Sequence, residues 1–459
     1  MVNEDPSTYS DHINGYLLAL VYYLFSTPSR VADQVQDLAA ETDMLVFDLA
    51  LGGGIGHGQM FAQFFLTAFS QRLSSSPDRI DYHGTRTLGE NPVLSSTVQQ
   101  SAKGSIDIQP WLWRTQKGLS GSLAAFNEIV ERRFDLAFGA NATVSAPIVV
   151  YPYALPSDLM GFARWLTKCA LPEKGITLVV GLLFNDFLAD DQPQRDLAIS
   201  ALREAFETLN AHPLINLAVF SEVDAVNAMV VDFGVPEKDV FLLPFLPSLR
   251  FEHGVEPAKL SRPRPRVGII GTCRPSRGHH HILSAVEEIA HEDIDVLMHA
   301  SESNLYWFER SQSEPKESFE DQLQRLEREG KLSWIREPLS HDKYDKALLS
   351  LDAMILPYDP KFYKDTGSGV AFEAVAARRH LILSADCAFA GILGRVGYPH
   401  TLIHDLSGSG VLDAIRRAKL NAAVLDQALA RWDNADLLFS EVDRFTHTLK
   451  HSLTSARET

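Results

Sequence analysis

The sequence has almost no cysteine. Only Cys169, Cys273 and Cys387 occur in 459 residues, an odd number spread far apart. That excludes a disulfide framework and a Cys-x-x-Cys metal or redox motif, and it fits a reducing compartment. Positive charge is also short: 42 Lys and Arg stand against 59 Asp and Glu, a net charge of −17. A nucleic-acid binder needs basic residues at its phosphate contacts, so that class is set aside. The deficit lies early, with roughly 16 basic against 28 acidic side chains in residues 1–250, which argues against a broad surface for anionic lipid there. No apolar run is long enough to span a bilayer. The run from Gly15 to Phe25 is too short, and Glu4, Asp5 and Asp11 stand where a secretory signal would be basic. The expected location is cytoplasmic, with contact at most peripheral to the inner membrane. Repeats and low-complexity tracts are absent too.

What is there is an ordinary globular composition, 45% hydrophobic and 22% charged, in a chain too long for one hydrophobic core. Two domains are expected. In the first half the pattern predicts a helix over Tyr16 to Leu38, a strand over Met44 to Leu49 and a helix to about Gln71. Strands follow at Ile176 to Phe184, Leu214 to Phe220 and Val240 to Leu243, with helices near Pro156 to Ala170, Gln194 to Asn210 and Glu222 to Phe233. The stretch from Leu73 to Ser122 has weak periodicity and is read as loops facing an acceptor. Pro244, Pro247, Pro257, Pro263 and Pro265 mark a linker.

A second alternation begins at Val267 to Gly271 and runs through strands Ile294 to His299, Leu332 to Arg336, Ala353 to Leu356, His380 to Ser384 and one near Leu402. Between them the pattern places helices at His279 to His291, Ser318 to Glu329, Asp342 to Leu351, Gly369 to Ala377 and near Phe389. Such alternation implies a parallel sheet wrapped by helices. A last helical region, Asn421 to Leu449, has no strand after it. The boundaries that follow are 1–250, 251–420 and 421–459.

The chemistry concentrates in two stretches of the second half. In Asp352-Ala-Met-Ile-Leu-Pro357-Tyr358 a strand ends, and after a loop Asp365-Thr366-Gly367-Ser368-Gly369 opens a helix that carries Glu373. The free N–H groups at that helix start suit a phosphate, and one carboxylate there can take ribose hydroxyls. In Val267-Gly-Ile-Ile-Gly271-Thr-Cys-Arg274-Pro-Ser-Arg277-Gly278, the first strand leaves into a basic loop. Guanidinium forks from Arg274 and Arg277 can take phosphate oxygens without a metal. In the first half the loop Gly52 to Gly58 follows a strand, so that Gly53 and Gly54 let the backbone approach a ligand. It does not match Gly-x-Gly-x-x-Gly in frame, which sets a dinucleotide dehydrogenase aside. Asn185 and Asp186 end another strand and either hydrogen-bond a sugar or cap the strand's exit. His279, His280 and His281 point in different directions on a helix, which reads as surface histidines and not as a metal site.

From about Arg266 to Arg417 the sequence resembles the retaining GT-B glycosyltransferases of the family 4 type. Asp365 and Glu373 match the two acids of that family's signature, with Asp365 where Glu is usual and Arg378 or Arg379 where Gly usually follows the helix. The first strand with its glycines and basic pair matches as well, with Arg277 where Lys is common. The resemblance implies two doubly wound Rossmann-like domains that face a central cleft, with a C-terminal helix crossing back to the first. It implies that Glu373 holds the nucleotide ribose, that Asp365 lies near the donor sugar, and that Ser368 and Gly369 bind the diphosphate. Thr366, Gly367, Gly271 and Tyr358 of the same loops, with Gly53 and Gly54, complete the expected nucleotide-sugar site. Asn185 stands where many relatives carry a His beside the sugar. The activity implied is transfer of a sugar from a nucleoside-diphosphate sugar to a saccharide, lipid-linked or protein hydroxyl. The nucleotide sugar is a co-substrate, with no cofactor and no metal. The acidic run Asp186 to Asp191 has no clean Asp-x-Asp, which agrees with a metal-free plan. Two alternatives stay open: a GT-B nucleotide-sugar epimerase, and a protein that binds a nucleotide sugar without catalysis.

Overall fold

In the computed structural model the described residues are 37–38, 42–49, 72–73, 79–85, 102–106, 122–183, 192–243, 248, 251, 255–289, 292–301, 305, 317–432 and 439–457. The strands of the first half are β1 Asp37–Leu38, β2 Met44–Asp48, β3 Ile80–Thr85, β4 Ala102–Ile106 and β5 Thr143–Val144. They continue as β6 Ile148–Tyr151, β7 Ile176–Leu182, β8 Ile215–Ser221 and β9 Val240–Leu242. The helices here are α1 Ser122–Phe138, α2 Leu159–Leu166, α3 Gln192–Asn210 and α4 Asp224–Asp232. Seven strands form one parallel sheet in the order β4-β3-β2-β6-β7-β8-β9. The central strands β2, β6 and β7 are buried along their whole length, as continuous apolar runs covered on both faces must be.

In the second half the strands are β10 Arg266–Ile269, β11 Asp295–His299, β12 Ser333–Ile335, β13 Ala353–Leu356, β14 His380–Ser384 and β15 His400–Ile403. They pair in parallel in the order β12-β11-β10-β13-β14-β15. The helices are α5 His279–Ile289, α6 Phe319–Arg328, α7 His341–Ser350, the short α8 Pro360–Tyr363, α9 Gly369–Ala376, α10 Ala388–Arg395 and α11 Gly408–Leu420. The chain then runs into α12 Ala422–Arg431 and α13 Phe439–Arg457. The strand order reverses between β10 and β13, where Val267 lies opposite Ala353. In a doubly wound sheet the crevice for a ligand opens at the C-terminal ends of the two strands at that reversal.

The last helix, α13, returns to the first sheet. Phe445 packs against Phe220 and Phe241. The Arg444 guanidinium lies over the Phe241 ring at 4.1 Å and donates to the Val240 carbonyl at 2.7 Å. Ser452 shares a 2.7 Å hydrogen bond with Thr177.

Several expectations need correction. The helix expected up to Leu38 does not reach that far: Asp37 and Leu38 are extended and pair with Thr143 and Val144, which satisfies their backbone groups in a second small ladder. Residues 16–36 and most of 73–122 lie outside the described residues. Asn421 to Leu449 is not one helix. Trp432 is extended and ends α12, and α13 begins anew at Phe439. Of the proline-rich segment after β9, the described Phe251, Ala258 and Leu260 are buried, whereas Ser261 to Arg264 are exposed, and the Ala258 amide donates to the Arg378 carbonyl at 3.0 Å. Arg378 itself stands in the left-handed region with φ of 54° just after α9, the position where glycine is usual. Its guanidinium donates to the carbonyls of Leu429 and Trp432, each at 3.1 Å, and so caps α12. That cap offsets the strain of a side chain at positive φ.

Candidate functional site

The loops after β10 and β13 meet at the crevice. The first turns at Gly271, with φ of 111°, and at Gly278, with φ of 66°. A Cβ on Gly278 would stand 2.0 Å from the Pro357 carbonyl oxygen, so only glycine lets the two loops touch. A further tie is the Asp359 amide, which donates to the Ser276 carbonyl at 2.9 Å. His299, at the end of β11, fixes the other side. Its Nδ1 accepts from the Gly271 amide, and its Nε2 faces the Glu337 carbonyl, both at 3.2 Å. Burial pushes the His299 pKa down, so the ring is neutral with its proton on Nε2, donated to Glu337.

Arg277 sits in this frame. Its Nε donates to the Tyr363 hydroxyl and its Nη1 to the Thr272 carbonyl, both at 3.3 Å, and the guanidinium lies 5.5 Å over the buried Tyr358 ring. Burial opposes its charge, but the oxygens of Tyr358, Tyr363 and Tyr344 more than offset that, and the pKa moves up. No carboxylate pairs with it among the described residues. Arg274, by contrast, is exposed.

The second loop delivers the N-terminal end of α9. Ser368 is the N-cap, and its hydroxyl accepts from the Ala371 amide at 3.3 Å. The amides of Gly369 and Val370 make no hydrogen bond among the described residues, since the first N–H groups of a helix have no intrahelical partner. Asp365, Thr366 and Gly367 are half-buried on the approach, and the Asp365 carboxylate has no hydrogen-bond partner among the described residues. Glu373 is buried and accepts from the Tyr344 hydroxyl at 2.6 Å.

One residue at this crevice comes from the other sheet. Glu222 directly follows β8 and is 6% exposed. Its Oε2 lies 2.2 Å from where a Cβ on Gly367 would be, so the missing side chain of Gly367 is what admits it. Burial, with Glu373 adding, pushes the Glu222 carboxyl up to about 8. Sequence reasoning missed Glu222, Tyr344, Tyr363 and His299. The available signal for Glu222 was an acid placed at once after an apolar strand, where strand ends face the cleft.

The expected site residues thus divide. Gly271, Arg277, Tyr358, Asp365, Thr366, Gly367, Ser368, Gly369 and Glu373 converge on one edge, with Arg274 on its exposed rim. Gly53 and Gly54, with Asn185 and Asp186, lie outside the described residues. The surface reading of the histidines fails for His279, which is fully buried. Burial, followed by Arg277 and His299, pushes it down to about 3; it is a neutral core residue beneath the basic loop. No cluster of His, Cys, Asp and Glu that could hold a metal occurs among the described residues, nor any helix long and apolar enough to cross a membrane.

No family model and no curated protein matches the sequence, whereas the fold is similar to that of solved structures along nearly the whole chain. One is the Anabaena protein HepE in complex with UDP, at TM-score 0.53 and 11% identity over 91% of this chain and 100% of that one. The Staphylococcus aureus protein MnaA with UDP gives TM-score 0.54 at 10% identity, over 90% and 97%. The α,α-trehalose 6-phosphate synthase of Burkholderia multivorans gives 0.51 at 13% identity, over 90% and 100%. With two parallel sheets of doubly wound type and a C-terminal helix returned to the first, the chain has the GT-B fold.

Proposed function

We propose that this protein transfers a glycosyl group from a nucleoside-diphosphate sugar to an acceptor hydroxyl, with retention and without a metal. The observation that carries this reading is the uncompensated Arg277 guanidinium beside the open N-terminus of α9, a pair suited to a diphosphate. In this reading the α9 amides and Ser368 hold the diphosphate and Glu373 takes ribose hydroxyls. Asp365 reaches toward the sugar, and the acceptor is a saccharide, a lipid-linked saccharide or a protein. As the bond from the anomeric carbon to the diphosphate breaks, negative charge grows on the leaving oxygen and Arg277 stabilises it. The expected setting is cytoplasmic. HepE and MnaA were solved with UDP, which makes uridine diphosphate sugars the first donors to try.

Mass spectrometry of products from a panel of nucleotide sugars, with and without acceptors, tests the reading. Donor consumed only when acceptor is present supports transfer. An isomerised donor without acceptor would mean an epimerase, and binding without turnover a sensor. Added EDTA should leave the rate unchanged, because the charge is met by Arg277; loss of activity restored by Mg²⁺ or Mn²⁺ would refute that part.

Glu373→Ala is expected to weaken nucleoside diphosphate binding by about 1.5 to 3 kcal/mol, the worth of hydrogen bonds to a charged group. The fold should persist, since Tyr344 is half-buried and its hydroxyl can turn to water. Unchanged affinity by calorimetry would remove Glu373 from the site.

A further inference from the structure

Among buried carboxyl groups at the cleft, Glu222 has no assigned role and no hydrogen-bond donor among the described residues reaches it. It is 6% exposed, it lies against Gly367 in the diphosphate loop, and it comes from β8 of the opposite sheet. A buried carboxyl without a partner costs free energy, which a bound ligand can return. We propose that Glu222 is a donor-binding residue supplied by the first sheet, whose carboxyl group hydrogen-bonds a phosphate oxygen of the nucleotide sugar held at α9. The inference rests on the reading of that site given above.

A carboxyl group can meet a phosphate only as the acid, because a carboxylate would repel it and has no hydrogen to donate. The surroundings favour the acid form. The titratable groups that act on Glu222 among the described residues are Glu373 of α9, whose charge adds to the effect of burial, and Tyr153 in the segment after β6. Burial first, then Asp48 and Glu222, push Tyr153 far up, so it is neutral and offers no compensating cation. Proton and donor therefore bind together: affinity is level while the free protein holds the proton, and it falls once pH rises past the Glu222 pKa.

Isothermal calorimetry on the full chain with UDP-glucose, GDP-glucose and ADP-glucose tests this. The diphosphate diester keeps its charge across the range, and the Gln variant controls for the uracil or guanine ring, which begins to lose its proton near the upper end. Wild-type affinity for the nucleotide sugar that binds best should be level up to about pH 7 and about tenfold weaker by about pH 9. Glu222→Gln, which keeps the shape and an N–H donor, should match wild type at about pH 7 within threefold and lose the fall. Glu222→Ala should be about tenfold weaker at neutral pH, with no further decline. Circular dichroism and melting curves check that each variant is folded. Wild-type affinity that stays flat, or a fall that persists in the Gln variant, overturns the role of Glu222 alone. If wild type binds none of the three at any pH, the reading of the site fails and this inference falls with it.

Discussion

Arg277→Ala should lower kcat/KM for the donor by about 10²- to 10³-fold, with most of the loss in kcat, as when a preorganised donor to a developing oxyanion is removed. The guanidinium is held in place before any ligand binds, by Tyr363, by the Thr272 carbonyl and by the face of Tyr358. Orientation therefore costs nothing at the moment of reaction, and no carboxylate among the described residues cancels the charge. Arg277→Lys should rescue little, because a point charge cannot keep the Tyr363 and Thr272 bonds while forking onto phosphate. Arg274→Ala should cost less than about tenfold, since an exposed arginine is screened by solvent. The double variant should then sit close to Arg277→Ala. Wild-type kcat and kcat/KM in Arg277→Ala on the true donor would show that the diphosphate does not lie here.

This unequal pair shows where sequence reading stops. Both arginines are legible as a basic loop after the first strand of the second sheet, but their difference depends on Tyr358 and Tyr363, about 80 residues later in the chain. Segments whose function is local read well: Asp365 to Glu373 is one loop and one helix turn, and its cap follows from Ser368 before an apolar run. Glu222, Tyr344 and His299 could not be read in the same way. Each is an unremarkable polar residue until the fold sets it against Gly367, Glu373 or Gly271.

The fold divides similarly. In the second half β13 and β14 have the bounds that the pattern predicts, since the apolar stretches there are bounded by Asp352 and Pro357 and by Arg379 and Ala385-Asp386. In the first half the central strand Ile148–Tyr151 is not legible in the sequence. It has four residues, all buried, and a short run with no alternation cannot be told from a piece of buried helix. Helix α1, Ser122–Phe138, does not stand out because it follows a weakly periodic stretch, nor does α11, Gly408–Leu420, because its start is Gly-Ser-Gly, which reads as a turn. Ser407 resolves that ambiguity by capping the Gly410 amide at 3.1 Å.

The largest structural effect is expected at Gly278. Two glycines of the second half share almost the same backbone conformation, Gly278 with φ of 66° and Gly330 with φ of 67°. Their surroundings differ. A Cβ on Gly330 would meet nothing within 4 Å, whereas one on Gly278 would lie 2.0 Å from the Pro357 carbonyl oxygen. Gly330→Ala should therefore cost only the left-handed conformation, about 1 to 2 kcal/mol. Gly278→Ala adds a clash with backbone at the end of β13, which no rotamer can relieve, and should cost more than about 3 kcal/mol. The clash also separates the two loops that the Asp359 to Ser276 hydrogen bond ties together. Donor binding should then be lost along with stability, while Gly330→Ala keeps it. Denaturant titration of the two variants beside wild type, followed by calorimetry with the best nucleotide sugar, separates the conformational cost from the clash. Equal midpoints and equal affinities in the two variants would mean that the contact between Gly278 and Pro357 does not hold the site together.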